Sequence, residues 1–131
     1  MEISVSIHQA KEPIAVMQIK GDINASNFMG IVEKARGIYN NPARFLVVDL
    51  SEVPNISSTG VVALHKVALL FSGAVQEVEE NQNPDFTHVS SARKHVRLLS
   101  PQDSVDKILG TAGMKLFFKI FTNLEDAINS F

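Results

Sequence analysis

Phe45-Leu46-Val47-Val48-Asp49-Leu50, a short turn, Ser57-Ser58-Thr59-Gly60, and an apolar-rich segment running to Gly73 form the stretch that decides the fold. An unbroken apolar run that ends in an acid, followed by small hydroxyl residues and a helix-period pattern, reads as a buried strand feeding a helix N-terminus. Val61, Leu64, Val67, Ala68 and Phe71 fall on one face of that helix, as helical spacing requires of residues that meet a core. Gly73 is a natural stop, although Val75 and Val78 continue the spacing and leave a longer helix open.

Working outward toward the start, Ile3, Val5 and Ile7 alternate with Glu2, Ser4, Ser6 and His8, and residues 14–19 alternate again. Lys11-Glu12-Pro13 between them is turn-like, so a strand, a turn and a second strand are expected. Phe28, Ile31, Val32, Ala35, Ile38 and Tyr39 then fall at helical spacing, with Asn24 or Ser26 as the cap and Asn40-Asn41-Pro42 as the stop. Strand, helix, strand in this order implies a parallel pair joined by a right-handed crossover.

Toward the other end, apolar content collapses from Gln76 to Lys94, where a connection with so little pattern is either functional or disordered. The pattern recovers with a short strand at Val96, Leu98 and Leu99, and a helix face at Val105, Ile108 and Leu109 closes near Gly110 or Gly113. Phe117, Phe118, Ile120 and Phe121 predict a last strand, and Asn123 caps a terminal helix burying Leu124, Ala127, Ile128 and Phe131. Strands and helices alternating after an N-terminal strand pair argue an α/β layer fold with a mixed sheet.

With 131 residues, 45% of them hydrophobic, residues 1–131 fit one domain with a core of its own and a flexible insertion at about 76–94. A formal net charge of −2 supplies no basic field for nucleic acid or an anionic membrane surface. The absence of cysteine removes disulfides, thiolate metal sites and thiol catalysis. No apolar run is long enough to span a bilayer, and Met1-Glu2-Ile3 lacks a signal-peptide start. A soluble, cytoplasmic protein with no nucleic-acid or membrane partner is expected.

Enzymatic readings lack parts. His8, His65, His88 and His95 show neither the helical pairing nor the cysteine company of a metal site, so no metal is expected. Gly21, Gly30 and Gly37 stand apart and build no phosphate-cradling loop, which argues against a nucleotide cofactor. No nucleophile elbow surrounds Ser57, Ser58 or Thr59. The hydroxyl turn suits two other roles. Ser57 or Ser58 caps the helix by accepting a backbone N–H bond; but capping needs one hydroxyl, and three stand in a row at the carboxyl end of a central strand, where open α/β sheets place their sites. A phosphate there would meet unpaired helix N–H groups and the positive end of the macrodipole while adding roughly −1.5 to −2 charge. Along another side of the same helix run Ser58, Val62, Lys66 and Leu69, with His65 nearby. Val62 and Leu69 as exposed aliphatics would make a docking stripe; the alternative is a helix buried more broadly.

Several motifs now fall together: Ile19-Lys20-Gly21-Asp22-Ile23-Asn24; Val47-Val48-Asp49-Leu50-Ser51 followed by Ile56-Ser57-Ser58-Thr59-Gly60-Val61; Leu98-Leu99-Ser100-Pro101; and Gly113-Met114 leading through Phe121-Thr122 to Leu124-Glu125-Asp126-Ala127-Ile128. In this order they resemble a STAS domain of the anti-sigma-factor antagonist family over nearly the whole chain. The resemblance implies a single α/β STAS-like domain with a mixed β-sheet and helices packed mainly on one face. It implies a non-enzymatic regulatory module that binds a kinase-type anti-sigma factor when unphosphorylated, frees a sigma factor, and lets go once that serine/threonine kinase modifies the hydroxyl before the glycine. A serine phosphatase would reset it, and self-association is left open.

Carried over by position, the acceptor is Thr59, with Ser58 as the alternative; Asp22, Asn24, Asp49, Ser57 and Gly60 line the site, and Val62, His65, Lys66 and Leu69 face the partner. The family's usual Asp, Ser, acceptor Ser becomes Ser57, Ser58, Thr59 here, and the acid common after the second strand is Asn24. Fewer carboxylates make the site less repulsive to phosphate. These departures mark a divergent member. They leave two further readings standing, a constitutive interaction or scaffold domain on the same helix face and a small-ligand sensor closed by the 76–94 segment.

Overall fold

Alternating residues at the chain start pair as a hairpin in the computed structural model, which describes residues 1–40, 43–72 and 93–131. Strand β1 (Glu2–Gln9) runs antiparallel to β2 (Pro13–Lys20) in unbroken register from Glu2 opposite Lys20 to Gln9 opposite Pro13. Helix α1 (Phe28–Asn40) crosses over to β3 (Phe45–Glu52), which pairs parallel with β2. Helix α2 (Ser58–Phe71) follows, then β4 (Val96–Leu99), α3 (Asp103–Thr111), a 3-10 turn at Met114–Leu116, β5 (Lys119–Phe121) and α4 (Leu124–Asn129). The sheet is mixed, in the order β1-β2-β3-β4-β5, with every pair after the first parallel.

The period of two along each strand sends side chains to two unlike faces. Ala15, Met17 and Ile19 of β2, Leu46, Val48 and Leu50 of β3, and Val96 and Leu98 of β4 point into a large core closed by α1, α2, α3 and the buried pair Phe117 and Phe118. Each large side chain taken fully from water there contributes about 1.5–3 kcal/mol. On the other face Ile14, Val16, Val47 and Leu99 pack with Phe45 and Phe121 against α4, through Ala127 with Leu124, Ile128 and Phe131. Helices therefore sit mainly on one face, as expected.

Several elements depart from the sequence expectation. The last strand is shorter than the Phe117–Phe121 run: Gly113, at φ 76°, bends the chain through the 3-10 turn, and Phe117 and Phe118 drop into the helical core before pairing begins at Lys119. Strand β4 contains Arg97, 4% exposed, the one buried charged or polar residue among the described residues. Its Nε donates to Ser130 Oγ at 2.9 Å, its Nη1 donates to the Arg93 carbonyl, and its guanidinium lies 4.5 Å from the Phe131 ring centre. Burial, aided by the Arg93 charge, lowers its pKa. Asn123 does cap the terminal helix, its Oδ1 accepting from Asp126 N at 3.1 Å. Helix α2 ends at Phe71, with Ser72 as its cap. Any extension through Val75 and Val78, and the 76–94 segment apart from its last two residues, lie outside the described residues. No helix of the described residues is long and apolar enough to cross a membrane.

Candidate functional site

Two loops leave the carboxyl ends of β2 and β3 side by side, and the backbone laces them together. Gly21 N donates to the Glu52 carbonyl at 2.9 Å, Ile23 N to the Asn55 carbonyl at 3.1 Å, and Ser57 N to the Ile23 carbonyl at 2.9 Å. Ile23 and Ile56 form an isolated parallel bridge and are both buried. The sheet is in effect continued past its strands by one rung, which delivers the chain to the start of α2 in a fixed position.

Ser57 is the residue that turns the chain into the helix. Its backbone is extended, and its Oγ accepts from Gly60 N at 3.1 Å, which satisfies one of the donors that a helix start leaves unpaired. Gly60 has to be glycine for a different reason: a Cβ there would stand 2.6 Å from Ile56 Cγ1 and 2.7 Å from Ile23 Cγ2. Helix and loop touch at that point. Ser58 is exposed and Thr59 half-buried, and neither hydroxyl has a hydrogen-bond partner among the described residues. Both sit in the first helical turn, where the macrodipole is positive and the first amides point outward.

Asp22 and Asn24 are brought to the same end of the sheet through the laced loop. Asp22 Oδ1 accepts from Asn55 Nδ2 at 3.3 Å, and the Asp22 carbonyl accepts from Asn27 Nδ2 at 2.9 Å. Asn24 Oδ1 accepts from Ser26 N at 3.0 Å and from Ser26 Oγ at 2.6 Å, while Asn24 N donates to Asn27 Oδ1 at 3.0 Å. Asn24 thus holds the turn before α1 in shape, and the helix proper starts at Phe28. Asp49 does not join this group. It points to the face that carries Phe45 and Val47, opposite α2, where its Oδ1 accepts from Ser51 N at 2.9 Å and its Oδ2 from Gln18 Nε2 at 3.3 Å.

The docking stripe is narrower than its spacing predicts. Val62 is 45% exposed, and His65 and Lys66 are half-exposed, but Leu69 is 9% exposed and belongs to the buried set. The correction has a plain cause: all five residues of the last stretch of α2, Val67 to Phe71, are buried, so this end of the helix has no free side. His65 is a packing residue as much as a surface one. Its ring meets Phe117 edge-on at 5.0 Å, its buried Nε2 has no hydrogen-bond partner among the described residues, and burial lowers its pKa.

Two supports were not legible beforehand. Gln102 Nε2 donates to the Ser51 carbonyl at 2.9 Å and Ser104 Oγ to the Pro54 carbonyl at 2.8 Å, tying the start of α3 to the loop that feeds α2. About fifty positions separate the partners, so no local pattern announces them. Among the described residues no three His, Asp or Glu side chains gather in a metal-binding group. A groove of about 330 Å³ lies at the other end of the strands, between the β1–β2 turn and α4, lined by Lys11, Ile14, Phe45, Ile128 and Phe131 among others. Phe45 opens β3 whereas Thr59 follows its close, so this groove is no part of the hydroxyl site.

Solved structures with this fold are similar over almost the full chain. An anti-sigma factor antagonist from Mycobacterium paratuberculosis superposes with a TM-score of 0.67 at 14% identity, covering 98% of this chain and 93% of its own. A putative anti-sigma factor antagonist from Thermotoga maritima gives 0.71 at 15% identity, covering 96% and 92%. The Bacillus cell fate determinant SpoIIAA, in its phosphorylated form, gives 0.58 at 13% identity, covering 97% and 98%. No curated protein matches in sequence. The model of one family, the STAS domain, matches residues 7–72, half of the chain and the half that holds β2, α1, β3 and the Ser57–Gly60 helix start. By that match over half of its length, the chain belongs to the STAS domain family.

Proposed function

We propose that this domain is an anti-sigma-factor antagonist: a non-catalytic protein-binding module that engages a kinase-type anti-sigma factor through the start of α2 and is released when that kinase phosphorylates Thr59. The observation that carries the reading is the division of labour among three adjacent hydroxyls. Ser57 is committed to the cap, while Ser58 and Thr59 remain on the first turn without partners of their own among the described residues. A phosphate on Thr59 would meet the amide ends of α2 and add roughly −1.5 to −2 charge beside the exposed Val62 without requiring the domain to refold. Asn24, in place of an acid, and Ser57, in place of another, keep like charge away from that phosphate. A serine phosphatase completes the cycle, and the family's phosphorylated structure is the precedent for the modified state.

Incubation with the kinase-type anti-sigma factor of the same organism and ATP, followed by mass-spectrometric mapping, is expected to place phosphate on Thr59, or on Ser58 beside it. Phosphate found only elsewhere overturns the switch. Thr59→Ala is expected to hold the partner in the presence of ATP, and Thr59→Glu to bind it at least about tenfold more weakly, a loss of about 1.4 kcal/mol. Equal binding by the two variants would instead make the domain a constitutive scaffold.

A further inference from the structure

The two edges of the sheet are built differently. Strand β5 has three residues, begins with the exposed Lys119, and so presents little backbone to a newcomer. Strand β1 has eight residues, Glu2–Gln9, paired to β2 on one side without a bulge. It contains no proline, lysine or arginine, which are the usual means of keeping an edge from pairing. Among the described residues nothing pairs with its other side, and a strand of this length offers about 27 Å of backbone there.

We propose that β1 pairs antiparallel with β1 of a second copy about a two-fold axis through Val5, joining two sheets into one. The strand is complementary to itself in that register. Val5 meets Val5, Ile3 meets Ile7, Ser4 meets Ser6, and Glu2 meets His8, so that carboxylate faces imidazole at both ends. Residues opposed in an antiparallel pair share a face and interact directly. On the helical face Ile3 and Val5 already pack against the core, whereas Ile7 is 52% exposed and would be covered by Ile3 of the copy. Val5, Ile7 and Ile38 line a groove of about 390 Å³ together with Glu33 and Lys34 of α1. On the other face Ser4 and Ser6 are exposed, and Ser6 Oγ lies 3.4 Å from His8 Nε2.

Other registers fail on the same residues. A slip of one puts aliphatics opposite serines and the two helical layers on opposite sides of the joined sheet. A slip of two in either direction separates Glu2 from His8. The occupant is therefore a second copy, because both the apolar and the polar halves of the strand find their counterparts in the strand itself. Residues Ser57 to Thr59 take no part in this edge, so the pairing stands whether or not Thr59 is an acceptor.

Sedimentation equilibrium of the full chain across a concentration series tests the pairing. A dimer is expected, and Ile7→Lys, at an exposed position that leaves the core untouched, is expected to weaken it by about tenfold or more, while circular dichroism, and melting at concentrations where both chains are monomers, stay as they were. The chain has no cysteine, so register is read by disulfide trapping: a mixture of Ser4→Cys and Ser6→Cys chains should oxidise to the mixed dimer faster than either alone. A monomer at every concentration, a dimer indifferent to Ile7→Lys, or preferential trapping of Ser4→Cys with itself would each overturn the proposal.

Discussion

The first turn of α2 leaves Ser58 exposed and Thr59 half-buried, whereas its last five residues, Val67 to Phe71, are all buried. One helix thus holds a solvent-facing polar end and a sealed apolar end. The sealed end is fixed by packing: Phe71 is 1% exposed and meets Tyr39 edge-on at 5.3 Å. The open end has little to bury and is fixed instead by directional contacts, the Ser57 cap, the Ile23–Ile56 bridge and the close approach at Gly60. Burial at one terminus is what permits a solvent-facing first turn at the other, the turn the proposed function uses, because a helix anchored by its last turns need not hide its first.

Substitutions separate the two ends by what they damage. Phe71→Ala is the largest expected effect, a loss of about 3–5 kcal/mol in denaturant unfolding, since the cavity lies in a core with little freedom to collapse. Binding of the partner, measured well below the melting temperature, should be unchanged; a proportionate loss of binding would mean that the two ends are not separable. Gly60→Ala is expected to cost less, about 1–3 kcal/mol, because the new Cβ must displace Ile23 and Ile56. Unlike Phe71→Ala it should also weaken partner binding, since the displaced loop is the one that carries Asp22 and Asn24 beside the helix start. A variant that loses stability but binds normally would break the link between loop and site.

How much of this was legible beforehand follows the same division. The hydroxyl helix start and the strand that feeds it are local features, so Ser57, Ser58, Thr59 and Gly60 stand out in a sequence window. Alternation located β1 and β2 for the same reason. What could not be read depends on contacts between distant segments. Leu69 sits at a spacing that places it outside the predicted core face, yet the sealed end of α2 buries every side. Asp49 is different: the alternation of its own strand already sends it away from the site, and only the family resemblance places it there. Arg97, whose charge looks like a surface residue in Val96-Arg97-Leu98-Leu99, is buried because Ser130, the Arg93 carbonyl and the Phe131 ring receive it. Phe117 and Phe118 read as strand on apolar content alone, and only the turn at Gly113 shows them to be core.

The smallest expected effect lies midway along α2, at the boundary between its two ends. His65 packs its ring against Phe117, and its Nε2 is buried without a partner among the described residues, so burial holds the imidazole neutral below its usual value of 6.5 in the folded state. In the unfolded chain His65 titrates near that usual value. As pH falls through it, the unfolded state therefore takes up a proton that the folded state does not, and stability declines until the lowered folded value is passed. Above the usual value the contribution of neutral His65 is complete. Because the residue is only half-buried, solvent screens the effect, and it should emerge as a slope rather than a collapse. His65→Phe keeps a ring against Phe117 and removes the titration. Unfolding free energies measured between about pH 7.5 and 5.5 should diverge, with the parent chain losing ground to the variant as pH falls. Parallel curves would place His65 in contact with water in the folded state and move the boundary of the sealed end toward Val67.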